Sequence, residues 1–206
     1  PRPMMSLILI ILVPLLTAGA AALLGNWPNL RESVSLLGGA ALFILNLSLL
    51  PAVLAGGFPA VWIAEPIPGL PIALRAEPLG VLFGLTASFL WLVTTVYSIG
   101  YLRAHGESHQ SRFFAFFAVA IASTMGVAFA ENLFTLFLFY ELLTFSTYPL
   151  VTHTGTAEAR QAGRKYLGIL VGTSMAFLLV AVVWTWLLAG TVDFRVGGIL
   201  AGTASP

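Results

Sequence analysis

NLFTLFLFYELLTFSTYPLV fills residues 132–151, and its reading decides the fold. A helix needs ~20 apolar residues to cross a bilayer. This stretch supplies that length with one charge, Glu141, near its middle. A carboxylate at the membrane centre costs ~2.5–3.5 kcal/mol on insertion scales, so such residues face a bundle interior and serve ion or proton paths. Thr144, Tyr148 and Thr152 follow Glu141 at helical spacing and share its face. Pro149 frees the carbonyl of Phe145 inside the membrane. Glu141, Thr144 and Tyr148 are therefore the candidate proton relay. The alternative is that Glu141 pairs with a cation on another subunit and only holds a complex together.

Working outward, the same criterion predicts six spans, at about residues 5–24, 34–55, 79–102, 113–130, 133–152 and 166–189. The fold class is an all-α polytopic transmembrane bundle. The stretch 56–78 is rich in proline and glycine and cannot span; its alternation around Pro71 and Arg75 suits a short hairpin or strand at the membrane face. The break at Ala130-Glu131-Asn132 makes spans four and five a tight antiparallel hairpin. Residues 153–165 are expected to be a loop, as are the Gly-rich residues 190–206. Pro1-Arg2-Pro3, ahead of Met4-Met5, is set aside as a start-site artefact. The first apolar run extends well past the possible cleavage site Ala18-Gly19-Ala20, so it reads as a retained helix. With the N-terminus outside, the inner face carries Arg31, Arg103, Arg112, Arg160, Arg164 and Lys165 against Arg2, Arg75 and Arg195 outside, as the positive-inside rule asks.

Composition agrees. The chain is 59% hydrophobic and 8% charged, against roughly 25% charged in soluble domains. A net charge of +1 offers no basic patch to neutralise phosphates, so nucleic acid is not an expected partner. There is no cysteine, which removes disulfides, thiolate metal sites and cysteine nucleophiles. His105, His109 and His153 make no spaced metal motif and read as solvated loop residues. No metal and no cofactor is expected, and no nucleophile–base pair or phosphate loop marks a catalytic site.

Other charged positions are weaker candidates for a path or an interface. Glu131 sits in the tight outer turn. Glu77 precedes Pro78, where a carboxylate favours a helix N-terminus. Lys165 opens span six beside Arg164 and suits a snorkelling anchor. Trp184, Trp186, Tyr97 and Tyr101 suit interfacial aromatic belts. Gly38-Gly39 suits helix packing rather than a nucleotide.

Several stretches taken together resemble one family: LRAEPLGVLFG (74–84), YSIGYLR (97–103), the run from RFFAFF through FYELLTFSTYPLV (112–151), and AGRKYLGILVGTS (162–174). They are similar to the antiporter-like membrane subunits shared by respiratory complex I, Mrp-type cation/proton antiporters and membrane-bound hydrogenases. The nearest flavour is that of the D-type Mrp component and of complex I chain M/chain 4. The resemblance covers most of the chain after about residue 70. It implies that Glu141 is the fifth-span channel carboxylate. It also implies a lysine partner on a broken seventh helix and a second inverted repeat, in a fold of about fourteen spans. This chain would be the N-terminal portion of that fold, with residues 1–111 holding spans one to three and residues 112–206 opening the translocating module. The family usually has Asp where Glu77 stands.

Two function classes follow. One is a proton- or Na⁺-translocating subunit of a multi-subunit complex, possessing no catalytic site of its own but able to serve an NADH:quinone oxidoreductase-like or hydrogenase-like translocase. The other is a structural membrane scaffold. The expected partners are other membrane subunits, the lipid bilayer and the transported cation, in a prokaryotic plasma membrane. What faces Glu141 discriminates the two: a cation supports translocation, dry apolar packing the scaffold.

Overall fold

Proline and short polar caps set the helix starts in the computed structural model, which describes residues 2–202. Pro1 and residues 203–206, the end of the expected Gly-rich loop, lie outside the described residues, as does the Arg2 side chain counted to the outer face. Pro28 and Pro78 occupy the first turns of α2 (Pro28–Leu54) and α3 (Pro78–Ala104), where no intrahelical N–H is lost. Asn132 caps α5 (Leu133–Val151) by accepting from the Thr135 N–H at 2.7 Å. Thr156 caps α6 (Ala157–Thr173) by accepting from the Ala159 N–H at 3.1 Å. α1 (Arg2–Leu23) precedes these, and α4 (Gln110–Ala128) lies between α3 and α5. α6 runs on through a π-helical turn at Ser174–Leu179 into α7 (Val180–Ala189), which ends at left-handed Gly190.

Six helices are long and apolar enough to cross a membrane, the last being the continuous rod Ala157–Ala189. The six expected spans are thus present, and the chain is a multi-pass integral membrane protein. The expected loop at residues 153–165 is corrected: from Ala157 onward it is helix. Its residues are strong helix formers, and a hydropathy window cannot register a polar helix. Lys165 consequently lies well inside α6 rather than at its start.

The 56–78 stretch forms the expected hairpin, β1 (Ala60–Ile67) with β2 (Leu70–Arg75), antiparallel with Val61 opposite Leu74. Gly69 turns it with φ 83. The hairpin is tied to the α4–α5 turn. The Arg75 N–H donates to the Phe129 carbonyl at 2.7 Å, and the Glu131 N–H to the Ala73 carbonyl at 3.0 Å. The Asn132 side-chain amide donates to the Pro71 carbonyl at 3.0 Å.

α1 packs on α2 and α4, α2 on α3, and α4 on α5. Leu7, Leu42, Trp91, Met125 and Phe129 fill the core between the first four helices. Gly38 and Gly39 allow close approach as expected: a Cβ would lie 2.2 Å from Thr17 Oγ1 and 2.8 Å from Leu92 Cδ2 respectively. α6 packs on α5, and the rod from Ala157 to Ala189 is the least covered of the spans.

Candidate functional site

α5 carries its polar face inward. Glu141 and Thr144 are 8% and 4% exposed, Thr152 is buried, and Tyr148 is half-buried. Both carboxylate oxygens of Glu141 are buried, and among the described residues neither has a hydrogen-bond partner. No ion pair reaches Glu141 among them either; the three ion pairs lie elsewhere. The hydroxyls along the face are turned to their own helix: Thr144 Oγ1 donates to the Tyr140 carbonyl at 3.1 Å and Thr152 Oγ1 to the Tyr148 carbonyl at 2.9 Å. The stripe is therefore gathered on one face without a hydrogen-bonded chain linking its members. What it offers chemically is a carboxyl group withdrawn from water with its proton-accepting atoms unoccupied.

The remaining candidates separate. Glu131 forms an ion pair with Arg75, clamping the hairpin to the α4–α5 turn. That neighbour, by hydrogen bond and charge, holds the Arg75 guanidinium above its ordinary pKa. Glu77 occupies the N-cap position of α3 but its side chain makes no capping hydrogen bond, so the capping role is not realised. It is exposed and lends a longer-range attraction to Arg75. Lys165 is exposed on α6. Tyr97 and Tyr101 are exposed and stacked at 5.9 Å, and Trp184 is exposed; Trp186 instead packs toward the hairpin with Leu70.

Two polar clusters escaped the sequence reading. At the end of the bundle formed by the turns 24–27, 105–109 and 152–156, Glu32 is buried between Arg31 and Arg103. Arg103 Nε donates to Glu32 Oε1 at 2.9 Å and Arg103 Nη2 to Glu32 Oε2 at 2.5 Å, while Arg31 Nη2 lies 3.6 Å from Glu32 Oε1. Arg31 also donates to Ser111 Oγ and Gln110 Oε1 at 3.0 and 2.8 Å. The signal was an Arg-Glu pair just inside span two, which the expected boundary at residue 34 placed outside. The second cluster corrects the solvated-loop reading of His153. Both its ring nitrogens are buried without a hydrogen bond, and its ring meets Phe113 edge-on at 5.7 Å. Its backbone carbonyl accepts from Arg112 Nη2 at 2.9 Å. Burial, and then the Arg112 charge, hold the His153 imidazole below its ordinary pKa.

The chain is similar to antiporter-like membrane subunits over part of their length. Residues 130–199, which include the whole of α5, match the family described as NADH:quinone oxidoreductase/Mrp antiporter, transmembrane. The chain is 31% identical over 201 residues to NADH-quinone oxidoreductase subunit N of Desulforudis audaxviator, covering 90% of this chain and 37% of that protein. It is 31% identical over 112 residues to Na(+)/H(+) antiporter subunit A1 of Staphylococcus aureus, covering 53% of this chain and 14% of that one. Among solved structures it superposes with a TM-score of 0.75 at 21% identity on a chain of the membrane-bound sulfane sulfur reductase, an archaeal respiratory membrane complex. A chain of the Mrp complex from a Dietzia species gives 0.76 at 22% identity. Those two matches cover 91% of this chain and 38% and 35% of the others, and they speak for the fold. The chain thus spans well under half of the relatives it matches. The expected resemblance is met, with relatives of the N and A1 types.

Proposed function

We propose that this chain is a six-span part of a proton- or cation-translocating membrane subunit, acting with further membrane subunits in a prokaryotic plasma membrane. Glu141 is its mid-membrane relay carboxylate. The observation that carries the reading is the buried Glu141 carboxylate whose oxygens find no partner among the described residues. A carboxyl group inside a membrane span is costly to bury and is kept where it faces an ion path or meets a cation. Such a group is a relay when the cation comes and goes. Six spans that bury the carboxylate and leave it unpaired suit a cation brought by sequence or subunits packed against α5. Thr144 and Tyr148 carry the polar face toward the basic end, Glu131 and Glu77 serve the hairpin side, and Lys165 anchors α6 at the basic surface. The bacterial relatives, one a quinone oxidoreductase subunit and one a Na⁺/H⁺ antiporter subunit, support the class.

The test is Glu141→Gln in the assembled complex, with proton uptake into vesicles as readout. Gln keeps volume and hydrogen bonding but cannot carry a proton, so uptake is expected to fall to background while assembly persists. Normal uptake would remove Glu141 from the path and leave the scaffold reading. In liposomes containing this chain alone, no Glu141-dependent flux is expected, because no cation among the described residues pairs with it.

A further inference from the structure

A cleft of about 420 Å³ opens at the basic end of the bundle, where α4 and α6 begin and α5 ends. Its polar lining includes Ser108, His109, Arg112, Tyr148, Thr154 and Arg160. Two guanidinium groups, an imidazole and four hydroxyls, that of Thr152 included, thus converge, with no carboxylate among the lining residues. Two neighbouring acids are outside that lining: Glu107 lines the cleft that also holds Arg31, and Glu158 is exposed on the first turn of α6. Part of the donor capacity is already used, Arg112 Nη2 on the His153 carbonyl and Arg160 Nε and Nη2 on the Gly155 carbonyl. Arg112 Nε is buried with no hydrogen-bond partner. His109, at the start of α4, is the one described non-glycine residue with positive φ, 58, and backbone held in that region gathers at ligand-binding places. The N-terminal ends of α4 and α6 add their positive dipoles to the same cleft.

We propose that this cleft binds the phosphodiester headgroup of an anionic phospholipid. Guanidinium and hydroxyl donors recognise phosphate oxygens through charge-assisted hydrogen bonds. The volume falls within the ~300–1,000 Å³ of small-ligand clefts. The depth selects a lipid over a soluble phosphate. α5 has 19 residues, about 28 Å of helix, so its end at Val151 falls at the edge of a ~30 Å hydrocarbon core, where lipid phosphates lie. Val151, Phe145 and Leu142 are exposed on α5 and give acyl chains an apolar surface below the headgroup. The proposal does not depend on ion translocation, and its readout does not measure it.

Native mass spectrometry of the purified protein, titrated with phosphatidylglycerol or phosphatidylcholine, tests it. Phosphatidylglycerol is expected to bind at markedly lower concentration than phosphatidylcholine. Arg112→Gln with Arg160→Gln should weaken phosphatidylglycerol by about thirtyfold, at roughly tenfold or less for each basic contact at a membrane surface. Arg160→Gln alone, at an exposed side chain, should weaken it by about fivefold and leaves the Arg112–His153 bond in place should the double variant misfold. Equal binding of the two lipids, or a phosphatidylglycerol preference unchanged by Arg160→Gln, overturns the site. Full displacement of the lipid by millimolar inorganic phosphate overturns the lipid assignment in favour of a free anion.

Discussion

Two carboxylates are buried in this bundle and they are treated in opposite ways. Glu32, on α2, has a bidentate hydrogen-bonded contact with Arg103 and a second cation, Arg31, close by. Glu141, on α5, has no partner on either oxygen among the described residues. The helices around them differ in the same sense. α1 to α4 share a filled core, whereas the rod from Ala157 to Ala189, packed on α5, is largely uncovered. A charge neutralised inside its own fold holds helices together. A buried carboxyl group left without a partner, beside a sparsely covered rod, is available to something that arrives.

The largest effect that would break this comparison is on stability. Removing one member of a buried ion pair strands the other, at about 3 kcal/mol or more. Glu32→Ala should therefore lower thermal stability by about 3 kcal/mol, because it leaves Arg31 buried and uncompensated, while Glu141→Gln should leave stability unchanged or slightly raised. Equal losses on thermal unfolding in detergent would erase the distinction. Next comes the joint between the two regions. A Cβ at Gly126 of α4 would lie 2.1 Å from the Phe139 ring of α5. Gly126→Ala should cost about 1–3 kcal/mol by overpacking and loosen α5 from α4, read as faster amide exchange confined to α5. Exchange that rises equally in α2 and α3 would mean the bundle yields as one.

The smallest effect is a pH dependence beside the Glu141 helix. Burial and Arg112 keep His153 neutral in the folded state at pH values where an unfolded chain already protonates it. The unfolded imidazole takes its proton near pH 6.5. Stability should thus fall as pH drops below about 6.5 and level off once the folded imidazole also protonates. His153→Asn should flatten that slope in unfolding scans between pH 8 and 5; parallel slopes in the two proteins would refute the assignment.

The spans were legible because continuous apolar runs need no tertiary information, and Glu141 was legible because it interrupts one. The Arg31–Glu32–Arg103 cluster was not. Its members come from helices 71 residues apart in sequence, and each alone reads as a boundary charge. His153 was misread for a related reason: the packing of Phe113 and Arg112 over the α5–α6 turn is invisible in a polar loop composition. The start of α6 did leave a trace, Thr156 with Glu158 two residues on, a helix-opening pattern that a hydropathy scan passes over.

An α-helix turns about 100° per residue, and a π turn tucks one extra residue into the coil. The segment Ser174–Leu179 therefore behaves as a stored insertion, rotating the last ten residues of the rod by about 100° from the aim of its polar beginning. That rotation decides that Val182 and Trp186 meet the hairpin side while Trp184 and Leu187 look outward. A one-residue deletion there would relax the coil and re-aim Trp184, an angular change that quenching of its fluorescence by brominated lipids can read directly. The sixth span thus has two faces set independently, one dialled by its polar start and one by a single surplus residue.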